Sequence, residues 1–306
     1  NLNGYLDMQY RGIHYTIKGS DDKAGDHVNV DKHWNFFNPK AGINFQKDGH
    51  NAFVSFSVAN REPNRDNFTE AGRDERPQHE TLYDYEAGYG FGNSRFHVGA
   101  NLYFMDYSNQ LILTGKISEI GEALTSNIKD SYRMGIELTG GVEIARWLDW
   151  SGNLTLSRNK IKNFTESIEV YDADWNFLRE DHNDLGTTDI AFSPDIIANS
   201  MFNFSWKQFS ASFNSQFVGR QYIDNTSCKD RSIDPYFVSD LRVGYVFKPK
   251  FMKEIALDVT INNLFNEQYE TKAWVYSAMV DGERYKEDGY FTQAGTNAMA
   301  RVTFKF

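Results

Sequence analysis

The last seven residues of the chain, Ala300 to Phe306, alternate apolar and polar side chains and stop on an aromatic. Side chains alternate across a strand, so Ala300, Val302, Phe304 and Phe306 share one face while Arg301, Thr303 and Lys305 share the other. A soluble domain rarely ends this way. The closing strand of a transmembrane β-barrel requires such a pattern, one face meeting lipid and the other the lumen. The chain is therefore expected to be all-β, an antiparallel transmembrane barrel.

Composition permits this and removes other classes. No window approaches the roughly 18 apolar residues of a membrane helix, and the mean hydropathy is −0.59. A barrel strand spans lipid with only half its residues apolar, so a low mean hydropathy does not oppose a barrel. Aromatics make up 15% of the chain, with 24 Phe and 17 Tyr against only 6 Pro, which suits long strands with aromatic girdles. The net charge of −10, without a basic run, argues against a nucleic-acid partner. The single cysteine, Cys228, forms no intrachain disulfide and reads as an incidental loop thiol. Asn1 follows no Met, and the chain enters a strand-like stretch at Leu2 without a basic or apolar leader, so a piece of a longer polypeptide is expected.

Strand-like segments recur along the chain, and their connections alternate between tight and long. Phe36 to Gln46 turns through Asp48-Gly49-His50-Asn51 into Ala52 to Ala59. Glu80 to Phe91 turns through Gly92-Asn93-Ser94 into Arg95 to Tyr107, and Ser131 to Ile144 turns around Arg146 to Asp149. Trp206 and Phe209 flank Lys207-Gln208, and Phe247 precedes a turn through Pro249 and Lys250. The long connections are expected over about 60–79, 160–190, the region around Cys228, and Glu270 to Gln293. About twelve strands of roughly 9–15 residues result, matching tilted membrane strands. Long loops at one end and tight turns at the other distinguish this from a sandwich, whose loops are short at both ends. Phe91, Phe96, Trp147, Trp150, Trp206, Phe209, Phe247 and Phe251 gather beside the tight turns as a candidate girdle. Arg133, Glu137, Glu143, Arg242, Asp258, Arg301 and Lys305 share the polar phase and are expected in the lumen, with Val243 and Leu257 on the lipid face.

Several stretches resemble one family. Ile261-Asn262-Asn263-Leu264-Phe265-Asn266-Glu267-Gln268-Tyr269 is similar to the penultimate-strand signature of TonB-dependent outer-membrane receptors. Arg61-Glu62-Pro63-Asn64-Arg65, Leu82-Tyr83-Asp84-Tyr85-Glu86-Ala87-Gly88-Tyr89, Asn101-Leu102-Tyr103 through Gln110-Leu111, and Arg133-Met134-Gly135-Ile136-Glu137 resemble the same family's barrel, in order. The resemblance implies a 22-stranded barrel around a plug. Residues 1–306 would then be its C-terminal portion, with the plug and about ten strands upstream. It also implies TonB-energised import of a scarce nutrient, first a ferric siderophore or other iron complex, with cobalamin, haem or glycan as alternatives within the family. In the glycan branch an Asp-Pro-Glu follows the signature; here Tyr269 leads into Glu270-Thr271-Lys272-Ala273-Trp274, so that branch is disfavoured. The implied partners are the plug and missing strands, the TonB complex, the barrel-assembly machinery, outer-membrane lipid of a Gram-negative cell and a small-molecule ligand. Val302, Phe304 and Phe306 resemble the signal that the assembly machinery reads. A non-energised porin is the runner-up, and an outer-membrane enzyme stands third.

No residue set demands catalysis or a cofactor. The seven histidines form no zinc motif, and no phosphate-binding or nucleophile-elbow motif is present. His27 and His33, sharing a loop with Asp31, are metal or haem-iron candidates read as solvated. Asp84 and Glu86, near His79, read as lumen lining rather than an active site. The acidic group Asp172, Asp174, Glu180, Asp181 and Asp184 suggests calcium or a solvated surface. Ligand contact is expected in the long connections, where Trp34, Trp175, Trp274, Tyr276, Tyr285 and Tyr290 offer rings for stacking.

Overall fold

A computed structural model describes residues 1–20, 27–69, 77–117 and 123–306. In chain order the elements are β1 (Leu2–Ser20), β2 (His27–Lys47), β3 (His50–Arg61), α1 (Arg65–Thr69), β4 (Glu80–Gly92), β5 (Phe96–Ile117), β6 (Ala123–Ala145), β7 (Leu148–Tyr171), β8 (Phe177–Asp189), β9 (Ile196–Trp206), β10 (Phe209–Val218), β11 (Gln221–Tyr222), β12 (Ser232–Ile233), β13 (Tyr236–Phe247), β14 (Glu254–Asn262), β15 (Glu270–Val280), β16 (Glu283–Thr292) and β17 (Asn297–Lys305). Twelve of these make one antiparallel wall in the order β1-β2-β3-β4-β5-β6-β7-β9-β10-β13-β14-β17, the expected number. β8 and the β15–β16 hairpin attach to β7 off this path, and the wall is open between β1 and β17.

Register keeps one apolar phase across the wall. Ile43 lies opposite Val54, Val54 opposite Ala87, Ala87 opposite Leu102, Leu102 opposite Ile136, and Ile136 opposite Leu156. At the far edge Leu257 meets Val302 and Ile255 meets Phe304, so the closing strand enters in the same phase. Val54, Leu102 and Val302 are more than half exposed, at 63%, 55% and 52%. The fully buried aliphatics, Ile161, Ile190, Ile223 and Ile233, sit instead where the wall gives way to its long connections. Apolar residues thus face outward along the wall and inward only at one end, as a protein solvated by lipid requires. The opposite phase is polar: Asp258 accepts from both Arg242 (3.1 Å) and Arg301 (2.9 Å). Lys305 pairs with Glu254 at 3.4 Å, and Arg133 donates to Ser193 at 2.9 Å. Asp84 and Glu86 also lie in this phase, while His79 packs against Phe36 with ring centroids 5.4 Å apart.

The tight turns follow local chemistry. Asp48 and Gly49 have φ of 49° and 83°, a left-handed pair that matches strand twist in a two-residue hairpin. Gly49 is required there, since a Cβ would meet the carbonyl oxygen of Gly92. Beside these turns the expected girdle forms: Phe91 and Phe96 lie 5.6 Å apart, and Trp147 and Phe209 each pack on Phe204 at 5.4 and 5.6 Å.

Strand length departs from expectation. β7 runs for 24 residues and β6 for 23, well beyond 9–15. The expected loop over 160–190 is mostly strand, β7 continuing to Tyr171 and returning as β8. Ile161, Ile168 and Val170 are buried in this extension, against other connections rather than lipid. Glu270 to Gln293 is likewise a hairpin, turned by Asp281 and Gly282 at φ 49° and 82°. His27, Asp31 and His33 belong to strand β2, not a loop, and the His27 side chain lies outside the described residues.

The Asn262-Asn263-Leu264-Phe265-Asn266 segment explains its own composition. Asn263 is buried at 3% exposure in a left-handed conformation after β14. Its amide donates to the carbonyls of Glu267 (2.9 Å) and Ala294 (3.2 Å), and its oxygen accepts from the Glu267 N–H (2.8 Å). Thr296 donates to the Asn263 carbonyl at 2.7 Å, which ties the end of β14 to the start of β17. Only a short side chain carrying both donor and acceptor fits this knot. Asn64 and Asn67 make a smaller one, each side chain accepting from the other's N–H at the start of α1.

Two outcomes follow. Val243→Arg, on the outward phase, is expected to cost about 2–4 kcal/mol at mid-depth and to abolish heat-modifiable mobility, whereas Asn199→Lys on the lumen phase leaves it intact. Asn263→Asp keeps size but removes both donated bonds; it should destabilise by about 1–3 kcal/mol and lower the thermal midpoint in detergent.

Candidate ligand-capture site at the loop end

Beyond its last pairing with β9, Leu156 opposite Ile196, strand β7 exchanges β9 for β8, pairing with it from Lys160 to Tyr171 while β6 stays alongside as far as Ile161. The β15–β16 hairpin leans on this extension through a short parallel contact, Met279 with Val170 and Val280 with Tyr171. Beneath it Ile223, Ile233, Ala273 and Val275 form a buried cluster closed by Phe192. A second cluster, Ile112, Ile161 and Ile190, packs with Ile128 and Phe164. Apolar burial therefore makes the loop end a folded layer.

An ion network holds the hairpin to β7. Arg231, 8% exposed at its side chain, reaches Asp224 at 2.7 Å and Glu166 at 3.1 Å. Arg284 of β16 adds a two-pronged pair to Glu166, at 3.1 and 2.9 Å. Burial alone would raise the Glu166 carboxyl; hydrogen bonds from Arg284 and Arg231 more than reverse this and hold it below the usual carboxylate range. On the opposite face Tyr171 and Tyr276 both donate to Glu169, at 2.9 and 3.2 Å. Burial first, then these neighbours, push the Tyr171 phenol far above its ordinary value.

A cavity of about 410 Å³ opens beside the network, lined by Asn127, Thr165, Glu166, Asp224, Arg231 and Ser277 among others. The buried Ser277 hydroxyl has no hydrogen-bond partner, so this wall retains unused polar capacity. A larger groove of about 1020 Å³ runs over Ile43, Val54, Leu102 and Ile136 on the outward apolar phase, where lipid chains belong.

The expected ring residues divide into groups. Trp175, at the β7–β8 turn with φ 60°, packs edge-on to Tyr285 at 4.9 Å and lies 5.6 Å from Tyr171. Tyr276 joins at 6.5 Å from Tyr285. Trp274 shares their face of β15, its indole lying across Gly289. Tyr290 is on the opposite face, donating to the Ser232 carbonyl at 3.4 Å. Trp34 belongs to a separate cluster, 6.2 Å from Tyr15, which stacks on Phe68. Three of the five acidic residues help to build their hairpin. Asp172 accepts from the N–H groups of Asp174 and Asn176, Asp181 pairs with Arg179, and Asp184 accepts from Thr165. Glu166, Asp224, Arg231 and Arg284 were invisible to the sequence reading, because charges up to 118 positions apart carry no local signal. The hairpin that brings Arg284 in had one: Asp281-Gly282 between alternating segments.

A lowered carboxylate contributes stability above its unfolded value of about 4.3 and loses it as pH falls through the folded value. Amides of β15 and β16 should keep their exchange protection from pH 7 to about 5 and lose it below about 4, and Glu166→Gln should flatten this dependence, as read by exchange corrected for intrinsic rate.

Comparison with known proteins gives one family. The model of the TonB dependent receptor-like β-barrel matches residues 6–264. No curated protein matches the chain. The fold is similar to the siderophore receptor PiuA of Acinetobacter baumannii, with 17% identity and a TM-score of 0.70 over 99% of this chain and 41% of that one. It is also similar to the ferric citrate transporter FecA (15%, TM-score 0.69, 99% and 43%) and the copper transporter OprC (14%, TM-score 0.67, 100% and 45%). The chain thus spans less than half the length of these structures. With a family match over most of its length, on an antiparallel wall with tight turns at one end and long paired extensions at the other, the chain belongs to the TonB-dependent receptor β-barrel family.

Proposed function

We propose that this chain is the C-terminal barrel portion of an outer-membrane receptor in a Gram-negative cell, importing a scarce nutrient with energy delivered through TonB. A plug and further wall strands complete it, because an unpaired strand edge within lipid leaves backbone groups unsatisfied. The barrel-assembly machinery would read Val302, Phe304 and Phe306. The observation carrying the ligand reading is the aromatic face of the joined hairpins, where Trp175, Tyr276 and Tyr285 cluster and Trp274 shares the same face of β15. Exposed rings there suit an aromatic or apolar-edged ligand, and an iron complex such as a ferric siderophore is the leading class. The siderophore and ferric citrate receptors among the similar folds favour the same class. Cobalamin, haem and glycan are the alternatives. Family and neighbours are receptors and transporters, and no reaction is assigned.

The test uses the full-length receptor. A deletion strain should lose growth on ferric siderophores as sole iron source and keep growth on cobalamin and haem. A loss confined to cobalamin or haem would move the assignment there. Uptake should stop when the proton-motive force is dissipated; uptake that persists points to a pore. Trp175→Ala with Tyr285→Ala removes two exposed rings worth about 0.5–1.5 kcal/mol each, so ligand affinity should fall roughly tenfold with surface abundance unchanged.

A further inference from the structure

The β1–β2 hairpin carries a cluster unrelated to the loop-end layer. Register sets His14 directly opposite His33 and Thr16 opposite Asp31, so all four side chains share one face. This is the outward phase: two pairs nearer the wall, Tyr10 faces Phe37, both exposed. On the other face at this level Tyr15 and Trp34 turn toward Phe68. The cluster thus stands on the outer surface, away from the lumen.

Its geometry is unusual for a solvated strand pair. The two imidazoles stack with centroids 4.0 Å apart and planes 11° from parallel. The Asp31 Oδ1 lies 2.9 Å from Nε2 of His14 and 3.8 Å from Nε2 of His33. One donor atom from each of the three residues falls within 4.8 Å of the others. Around a tetrahedral ion with bonds of about 2.0–2.2 Å, neighbouring donors stand roughly 3.2–3.6 Å apart. The pairs already bracket that spacing, and side-chain exposures of 55%, 62% and 68% leave the rings free to turn onto a common centre. The Thr16 hydroxyl, 3.4 Å from the His14 Nε2, stands at the edge of the site. Lys18 shares this face, and its charge acts on Asp31 in opposition to a bound cation.

We propose that His14, Asp31 and His33 form a divalent transition-metal site on the outer face of the β1–β2 hairpin, with the remaining coordination position open to water or an external ligand. Two imidazole nitrogens and one carboxylate suit Zn²⁺ and Cu²⁺, whereas Ca²⁺ and Mg²⁺ prefer all-oxygen shells. Bound there, the ion clips β1 to β2 beyond the last pair of β2 with β3, Lys40 opposite Ser57. Imidazoles from facing strands also make the site conditional on register, since a one-residue slip sends one ring to the other face. The proposal does not depend on the nutrient assigned above.

The test is Zn²⁺ titration by calorimetry of the tag-free full-length receptor in detergent, with Cu²⁺ electron paramagnetic resonance to count nitrogen ligands. Expected is saturable binding of one equivalent, two-nitrogen coupling with Cu²⁺, and a loss of affinity on the order of tenfold or more in His14→Gln/His33→Gln and in Asp31→Asn. His182→Gln, where His182 bonds Ser167 on another hairpin, should bind as wild type. Because all the substituted residues are surface-exposed, unchanged heat-modifiable mobility verifies folding of each variant. Equal stoichiometry and affinity in wild type and the double variant, or no saturable binding in wild type, would overturn the proposal.

Discussion

Lipid offers no hydrogen bonds, and that constraint organises the rest of the molecule. Every backbone N–H and C=O crossing the hydrocarbon must be satisfied within the sheet, which demands an unbroken antiparallel ladder. A continuous ladder fixes register, and register fixes phase. One slipped strand would turn its apolar side chains to the lumen and its charges to lipid. The row from Ile43 through Val54, Leu102, Ile136 and Leu156, taken up again by Leu257 opposite Val302, is therefore a single constraint expressed on many strands. The Asp258 pairs with Arg242 and Arg301 are its complement, because those charges are tolerated only where water or protein meets them.

Where the strands leave lipid the solvent changes and the construction changes with it. Ile161, Ile190, Ile223 and Ile233 turn inward and build small cores, as in a water-soluble domain. Water also makes unpaired charge admissible but weakly held, so the network around Glu166 matters through its burial. Arg231 and Glu166 are nearly covered, and an uncompensated charge there would be costly. One strand joins the regimes: β7 carries Leu154 and Leu156 on the outward phase and Glu166 farther along.

The legibility of the sequence follows the same division. In lipid the solvent acts on every residue of a strand, so period-two alternation, the Asp48-Gly49 turn and the girdle aromatics were readable, and twelve wall strands were countable. Above lipid the alternation persists only in short pieces, as where Ile168 and Val170 are buried and Ser167 is exposed, and it runs among acidic and turn residues such as Asp172, Asp174, Glu180, Asp181 and Asp184. That is why β7–β8 and β15–β16 looked like connections. The resemblance carried by Asn262-Asn263-Leu264-Phe265-Asn266 was legible as a motif, while its reason, an Asn bonding to Glu267 and Ala294 at once, needed coordinates. The pairing of His14 with His33 is hidden for a different cause: proximity in sequence associates His33 with His27, whereas register joins it to a residue on the preceding strand.

The two kinds of attachment imply a hierarchy of rigidity. A wall strand such as β5 is held to β4 and β6 by ladders along most of its length. The β15–β16 hairpin pairs with β7 through two parallel residue pairs and is held otherwise by side chains: the buried packing of Ala273 and Val275 on Ile223 and Ile233, the Glu166 bonds of Arg284, the Tyr276 bond to Glu169 and the Tyr290 bond to Ser232. Ladders along a whole strand open together at high cost, whereas an element held by side-chain packing and a few ion pairs opens at lower cost. The hairpin can therefore respond to charge and to an occupant of its aromatic face without disturbing the register of the wall. Putting the adaptable element outside lipid is the arrangement the solvent permits, since a hairpin that loosened within the hydrocarbon would expose its backbone to a medium with nothing to offer it.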